Sequence, residues 1–257
     1  MDFQMYQQMM EVEDKHWWFV ARRSIIEEVI RKLNLPADAE IFEAGCGTGG
    51  NLAMLSRHGQ VYAMELNEAA RSFASDLQLG KIQPGFLPND IPFADKKFDL
   101  IVLLDVLEHV EEDTASLQAL SAKLKPSGWL LITVPAYPWL WSKHDDLLHH
   151  KRRYMLHNLR QIVGDTGYHV HFVSYFNFVL FPLIAGVRLV QGLFNKGGNE
   201  QSMPPKLVNQ MLTFLFGIER YLIGRLFLPF GVSLLLLAQR NELTEEPIAS
   251  LVATSVY

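Results

Sequence analysis

Glu40-Ile41-Phe42-Glu43-Ala44-Gly45-Cys46-Gly47-Thr48-Gly49-Gly50-Asn51 decides how this chain of 257 residues is read. Glu40–Ala44 predicts a strand and Asn51–Ser56 the start of a helix, with glycines between them that let the backbone turn tightly and approach a ligand. Glycines 45, 47 and 50 also satisfy the GxGxxG spacing of dinucleotide-binding loops, so spacing alone leaves the ligand open. The acids nearby narrow the choice. A pyrophosphate at a helix N-terminus is an anion, and Glu43, two residues ahead of the first glycine, opposes it. A cofactor carrying an ammonium and a sulfonium is attracted instead. Glu65 ends the next predicted strand, Gln60–Leu66, where a carboxylate can accept both hydroxyls of a ribose.

Outward from this loop the chain alternates. Ile25–Leu33 is a predicted helix stopped by Asn34-Leu35-Pro36, Glu68–Leu79 is helical, and Lys81–Phe86 holds a short strand. Phe98–Leu104 (FDLIVLL) is a continuous apolar run, as a central parallel strand covered on both faces requires. Asp113–Leu124 is an amphipathic helix ended by Lys125-Pro126-Ser127-Gly128, and Trp129–Val134 is the next buried strand. Leu156–Thr166 predicts a helix, Tyr168–Tyr175 a sixth strand and Val232–Gln239 a closing one. A hydrophobic helical insertion lies at about 178–228, interrupted by a polar hinge, Asn195–Pro205. Strands alternating with helices imply an α/β fold, a parallel sheet with helices on both faces. Residues 1–37 form an N-terminal helical cap and 38–257 the main domain.

Composition bounds the function. Apolar residues make up 49% and charged residues 20%, which supports a sizeable core, and the net charge of −5 argues against a nucleic-acid partner. The single cysteine, Cys46, excludes an internal disulfide and a four-cysteine zinc site. The polar, acidic start lacks the pattern of a signal peptide, so a cytoplasmic location is expected. Phe176–Phe194 and Leu222–Ala238 are greasy, but prolines, glycines and arginines break both, so neither reads as a span of roughly 20 apolar residues. The insertion is expected to cover an apolar acceptor, dock peripherally on a membrane, or build a homodimer interface.

Glu43-Ala44-Gly45-Cys46-Gly47-Thr48-Gly49, Glu65 after the second strand, and Phe98-Asp99-Leu100-Ile101-Val102-Leu103-Leu104-Asp105-Val106-Leu107-Glu108-His109-Val110 together resemble class I S-adenosylmethionine-dependent methyltransferases. Lys125–Pro135 resembles the approach to their fifth strand and the strand itself. The likeness covers about residues 38–175. It implies a Rossmann-like sheet of seven strands whose last runs antiparallel, with S-adenosyl-L-methionine as cofactor. By that resemblance Gly45, Cys46, Gly47 and Gly49 line the cofactor, Glu43 lies near its amino group and Glu65 on the ribose, with Leu66 also among the cofactor-binding residues. Asp105 and Val106 sit beside the methionine portion. The family commonly places an acid after the third strand against the adenine. Here Gly85-Phe86 stands there instead, so either Phe86 packs on the ring or the Asn89-Asp90-Ile91 turn supplies the contact.

His16-Trp17-Trp18-Phe19 with Arg22-Arg23, and Pro135–Ser142 followed by Asp145 and His150-Lys151-Arg152-Arg153-Tyr154, are similar to a bacterial subgroup of type 11/12-like methyltransferases linked to cell-envelope sugar or lipid pathways. Residues 135–157 leave the fifth strand at the ligand edge of the sheet and are expected to form a lid. Trp139 and Trp141 could stack on a sugar or isoprenoid, and Arg152 or Arg153, beside Tyr154, could clamp an anion. The competing reading makes these residues core caps and a solvated helix start. Trp17 and Trp18 divide in the same way, between a cofactor cover and the apolar face of a helix. Asp105, Glu108 and His109 would share a face if a helix begins there, the set that some quinone-ring O-methyltransferases are thought to use for a divalent ion. A role in shaping the cofactor pocket, without a metal, is the preferred reading. His109 and His150 are candidate bases, with His144 and His149 as rivals. The expected function is methylation, O-directed, of a small-molecule or lipid-linked acceptor; a scaffold that binds the cofactor without turnover is the alternative.

Overall fold

A strand buried on both faces needs apolar side chains at nearly every position. Strand β4, Phe98–Leu104, meets that demand, with all but Asp99 buried. It lies at the centre of one seven-stranded sheet in a computed structural model that describes residues 3–194 and 203–241. The other strands are β1 (Glu40–Ala44), β2 (Gln60–Met64), β3 (Lys81–Gln83), β5 (Leu124–Pro135), β6 (Tyr168–Phe176) and β7 (Ser233–Arg240). Their order across the sheet is β3-β2-β1-β4-β5-β7-β6. The pairs from β3 through β5 are parallel, and β7 runs antiparallel between β5 and β6. This is the α/β Rossmann-like sheet with a reversed last strand that the sequence led us to expect.

Helices cover both faces. On one, α5 (Asp113–Ser121) and α7 (Leu156–Gly164) place Leu117, Leu120, Leu159 and Val163 against Phe42, Ile101, Leu103 and Ile132. On the other, α2 (Trp17–Arg31) and α9 (Lys206–Gly217) bring Ile25, Ile26, Val29, Ile30 and Phe216 onto Ile41, Leu100, Val102 and Leu131. Helix α2 begins earlier than its apolar spacing suggests because the His16 side chain accepts from Trp18 N–H at its N-terminus. The remaining helices are α1 (Phe3–Val12), α3 (Leu52–Leu55), α4 (Glu68–Asp76), α6 (Lys143–Leu147) and α8 (Phe181–Phe194).

Two elements differ from the reading of the sequence. The helix expected to run to Leu124 stops earlier, at Ser121, and Lys125–Gly128 lies inside β5: the register with β4 jumps from Phe98↔Leu124 to Leu100↔Trp129, so the turn residues form an irregularity within one long strand. The N-terminal cap and the C-terminal insertion, distant in sequence, pack as one layer. Asn209 on α9 accepts from Trp17 N–H at 2.8 Å and donates to Lys15 O at 2.8 Å, while Phe216 stacks on Phe176 and meets the edge of Trp17. Of the polar hinge, residues 195–202 lie outside the described residues, as do 242–257. Among the described residues no helix is long and apolar enough to cross a membrane. Phe216 is fully buried at this junction, so Phe216→Ala is expected to cost about 3–5 kcal/mol in chemical denaturation. A loss below about 1 kcal/mol would show that the layer is not held there.

Candidate active site

Helix α3 leaves β1 for one face of the sheet and α5 follows β4 on the other, so a crevice opens past the carboxyl ends of these two neighbouring strands. A cavity of about 1110 Å³ occupies it. The glycine turn forms its floor. Gly45 and Cys46 both donate to Met64 O, which ties the turn to β2. Gly45 has φ +77°, and a Cβ there would stand 2.9 Å from Val106 Cγ2, so the turn closes against the β4 loop only without a side chain. Gly45, Cys46, Gly47 and Val106 all line the cavity. Gly49 does not: its missing Cβ makes room for Leu77 and Ala74, and its role is packing on α4. Cys46 is buried, and burial pushes its thiol up, out of nucleophilic range.

Three acids surround this turn. Glu65 lines the wall, with one carboxylate oxygen accepting from Gly47 N–H at 2.9 Å and the other from Asn67 N–H at 2.8 Å. Each oxygen keeps a lone pair for a further donor. Glu43 is fully buried behind the wall; Asn51, which lines the cavity, donates to its Oε1 at 2.8 Å, and its Oε2 has no partner among the described residues. Burial pushes its carboxyl up to about 8. Glu13 reaches in from the end of α1, accepts from Thr48 Oγ1 at 2.9 Å and lies against Gly50. Burial raises its carboxyl as well. A cationic ligand meets favourable charge here and an anionic pyrophosphate does not. Leu66 and Phe86 are exposed apolar side chains at the rim. Asp90 and Ile91 do not line the cavity; Asp90 pairs through its backbone with Phe86.

Asp105 follows β4 in a left-handed conformation, φ +60°, and turns toward the cap. Its carboxylate takes a 2.7 Å ion pair from the buried Arg22 of α2, and both side chains also bond Thr133 of β5. Arg22 in turn lies over the Trp18 ring. Trp17, Trp18, Arg22 and Arg23 all line the cavity, so the cap forms part of the site wall as well as part of the core. Because Asp105 is turned away and only Leu107–His109 forms a helical turn, Asp105 does not group with Glu108 and His109. His150 joins them instead, and single ligand atoms of Glu108, His109 and His150 lie within 4.8 Å of one another. Glu108 is only 1% exposed, and among the described residues none hydrogen-bonds its carboxylate. Burial, then Asp105, pushes it well above the usual carboxylate range. Burial and then His150 bring His109 down to about 4, leaving it neutral near pH 7.

The lid enters as two parts with different roles. Pro135, His144, Leu148, His149, His150, Lys151 and Arg153 line the cavity. Asp145, fully buried in α6, organises them: it accepts from Arg153 Nε at 2.7 Å and Nη2 at 3.0 Å, pairs with His150 Nδ1 at 2.9 Å, and closes a capping box with Ser142. Burial opposes its ionisation, but His150 and Arg153 hold its carboxyl well below the usual range. The His150 and His109 rings meet edge to face at 4.7 Å. Trp139, Trp141, Arg152 and Tyr154 are not in the cavity wall. Arg152 and Tyr154 both bond Asp113 at the start of α5, and Trp141 donates to Asp146. Asp113 thus engages Arg152 and Tyr154, while Trp139 and Trp141 stay exposed outside the cavity wall.

Arg22, Glu13, Thr48 and Asp145 are wall or support residues that sequence reasoning did not assign. One signal was present: Arg22 sits on the apolar stripe of α2 with Ala21, Ile25, Ile26 and Val29, and a charge on a buried face needs a partner. For Glu43, raised to about 8 in the fold against 4.5 unfolded, the linkage sign is definite. As pH rises from 4.5 toward 8 the unfolded chain releases a proton that the fold retains, so stability falls. Glu43→Gln is expected to flatten that decline in denaturant titrations across this window. An unchanged slope would place the titration elsewhere.

Residues 17–177 match the family model described as "Methyltransferase domain". Curated relatives include an O-methyltransferase, resE, of Aspergillus sclerotiorum, 30% identical over 44% of this chain and 46% of its own length. Another is a ubiquinone biosynthesis O-methyltransferase of Rickettsia bellii, 29% identical over 42% and 47%. The chain thus spans about half the length of the curated relatives it matches. Among solved structures, an S-adenosylmethionine-dependent methyltransferase of Clostridium acetobutylicum shares the fold with a TM-score of 0.57, at 13% identity over 85% of this chain and 90% of that one. The [4+2]-cyclase SpnF also shares it, with a TM-score of 0.55, 14% identity and coverage of 85% and 81%. With this sheet, a cavity at its switch point and more than half its length matched, the chain belongs to the methyltransferase-domain family, of the class I S-adenosylmethionine-dependent type.

Proposed function

We propose that this protein transfers a methyl group from S-adenosylmethionine to a hydroxyl of a small-molecule or lipid-linked acceptor, with His150 as the base. The pairing of His150 with Asp145 in the cavity wall carries the reading. An ionised Asp145 fixes the proton of His150 on Nδ1, which leaves Nε2 as the acceptor. His109, neutral beside it, adds no charge that would disfavour proton uptake. This is the oriented histidine that removal of a hydroxyl proton requires.

The bound cofactor supplies an electrophilic methyl carbon already activated by its sulfonium. The chain's own contribution is orientation. The spare lone pairs of Glu65 would take the ribose hydroxyls. Glu43, acting through Asn51, and Glu13, both raised by burial, would ionise as the cofactor's ammonium binds beside them. Gly47, where a Cβ would meet nothing within 4 Å, leaves the backbone open to close approach, and Gly45, Cys46 and Val106 shape the floor. Leu66 and Phe86 would flank the adenine, with Asp90 and Ile91 supporting Phe86 from the turn behind it. Asp105 would stand beside the methionine portion, its charge held by Arg22. Similarity to a ubiquinone biosynthesis O-methyltransferase supports an oxygen acceptor.

Two measurements test the reading. Glu65→Ala is expected to weaken S-adenosylhomocysteine binding about tenfold or more, since a hydrogen bond to a charged group contributes roughly 1.5–3 kcal/mol; unchanged affinity overturns the ribose assignment. His150→Gln is expected to lower methyl transfer to catechols or polyprenylated phenols by about 10²–10⁴ while cofactor affinity stays constant. Full turnover in that variant removes His150 as the base. Tight S-adenosylhomocysteine binding with no product from phenols, lipid-linked sugars or other hydroxyl acceptors would favour the scaffold reading.

A further inference from the structure

Helix α9 buries Phe216 against the core and turns another side outward. Leu207, Met211 and Phe214, spaced four and three residues apart, lie on one helical side, with Leu207 80% and Phe214 69% exposed. Leu226 and Phe227, after the helix, are more than half exposed, and on α8 Leu183 is 61% exposed. Isolated exposed apolar residues are ordinary, but this density marks a surface with a partner. Charge identifies the partner's chemistry. Between residues 203 and 230 the exposed charged side chains are Lys206, Arg220 and Arg225, all cations; the one acid, Glu219, is buried. Along this segment the exposed charges are thus all positive, although the chain as a whole carries −5. Position gives the third argument. Leu183, Ile184 and Val187 of α8 and Leu212 of α9 also line the active-site cavity, so the apolar surface continues into the wall of the site.

We propose that this surface seats the protein on an anionic lipid bilayer, without crossing it, and that an amphiphilic acceptor passes from the bilayer into the cavity between α8 and α9. The docking stands on exposure and charge; the acceptor's route rests on the methyltransferase reading above. Large apolar side chains enter the headgroup and acyl boundary while neighbouring cations hold anionic headgroups. The expected occupant is therefore an anionic lipid surface and not a second copy of the chain, whose identical cations would meet across a two-fold interface.

The test is sedimentation of the full chain with vesicles of equimolar phosphatidylcholine and phosphatidylglycerol, against vesicles of phosphatidylcholine alone. S-adenosylhomocysteine titration of the same preparations is the control for an intact site. Binding to the anionic vesicles that weakens with salt is expected, and each of Lys206→Gln, Arg220→Gln and Arg225→Gln should reduce partitioning about fivefold. The double variant Leu207→Glu, Phe214→Glu, changed only at exposed positions, should release the protein while leaving S-adenosylhomocysteine affinity unchanged. Three results would overturn the proposal: wild-type protein that stays in the supernatant yet binds S-adenosylhomocysteine, vesicle binding that the double variant retains, or a dimer in sedimentation equilibrium that the double variant dissolves. Vesicle binding together with failure to bind S-adenosylhomocysteine would leave the docking intact and reject the cofactor reading instead.

Discussion

Arg22 is buried with its charge, and the molecule is arranged around that fact. Its guanidinium bonds Asp105 after β4 and Thr133 on β5, and packs over Trp18 on its own helix. A buried charge without a partner costs several kcal/mol, and removing one member of such a pair is strongly destabilising. The pair therefore fixes α2 over the carboxyl ends of the central strands and holds Asp105 in its left-handed conformation. That places Val106 against Gly45, which is tolerable only because Gly45 has no side chain. One electrostatic tie thus links the cap, the glycine turn and the β4 loop, the three parts of the wall that come from separate regions of the chain.

The acids exploit what this arrangement encloses. Glu13, Glu43 and Glu65 come from three elements and crowd one turn, and burial raises the first two. Left empty, such a site disfavours the charged form of Glu43; a cation arriving there recovers the attraction that ionisation would otherwise lack. Two backbone N–H groups donate to the Glu65 carboxylate. The result is a site whose preference for a positively charged ligand is distributed: a fixed carboxylate in the wall, with protonatable ones behind and beside it. The same distribution disfavours a dinucleotide although the glycine spacing matches one.

The sheet was legible because its signals are local. A seven-residue apolar run, a glycine turn and strand–helix alternation are each read within a short window, and the strand limits of β1 and β4 agree with the sequence reading. What escaped was long-range or chemical. Helix α2 starts at Trp17 because a histidine caps it, and the tryptophans that looked like either cover or core are both, since they line the cavity and pack on α9. The supposed helix face of Asp105, Glu108 and His109 failed because Asp105 took a left-handed conformation to reach a partner 83 positions earlier in the chain. In the lid, the pattern His150-Lys151-Arg152-Arg153-Tyr154 does not say which side chain faces inward. Asp145 holds His150 and Arg153 in the cavity wall, and Asp113 draws Arg152 with Tyr154 out of it.

The cavity has two chemically different ends. Asp145 stands at a polar end where His109, His150 and the unpartnered Glu108 gather. Leu183, Ile184, Val187 and Leu212 form a wall that offers no hydrogen bond from their side chains. Such a cavity discriminates by orientation: a polar head gains only at the histidine end and an apolar body only along the helices, so an amphiphilic acceptor has one favourable way to lie. A small, uniformly polar acceptor would leave the apolar wall wet, and a purely apolar one would leave the polar groups of the histidine end without a partner. The chemistry of the walls thus selects a molecule with a hydroxylated end and a greasy remainder, which is also the kind of molecule that resides at a lipid surface.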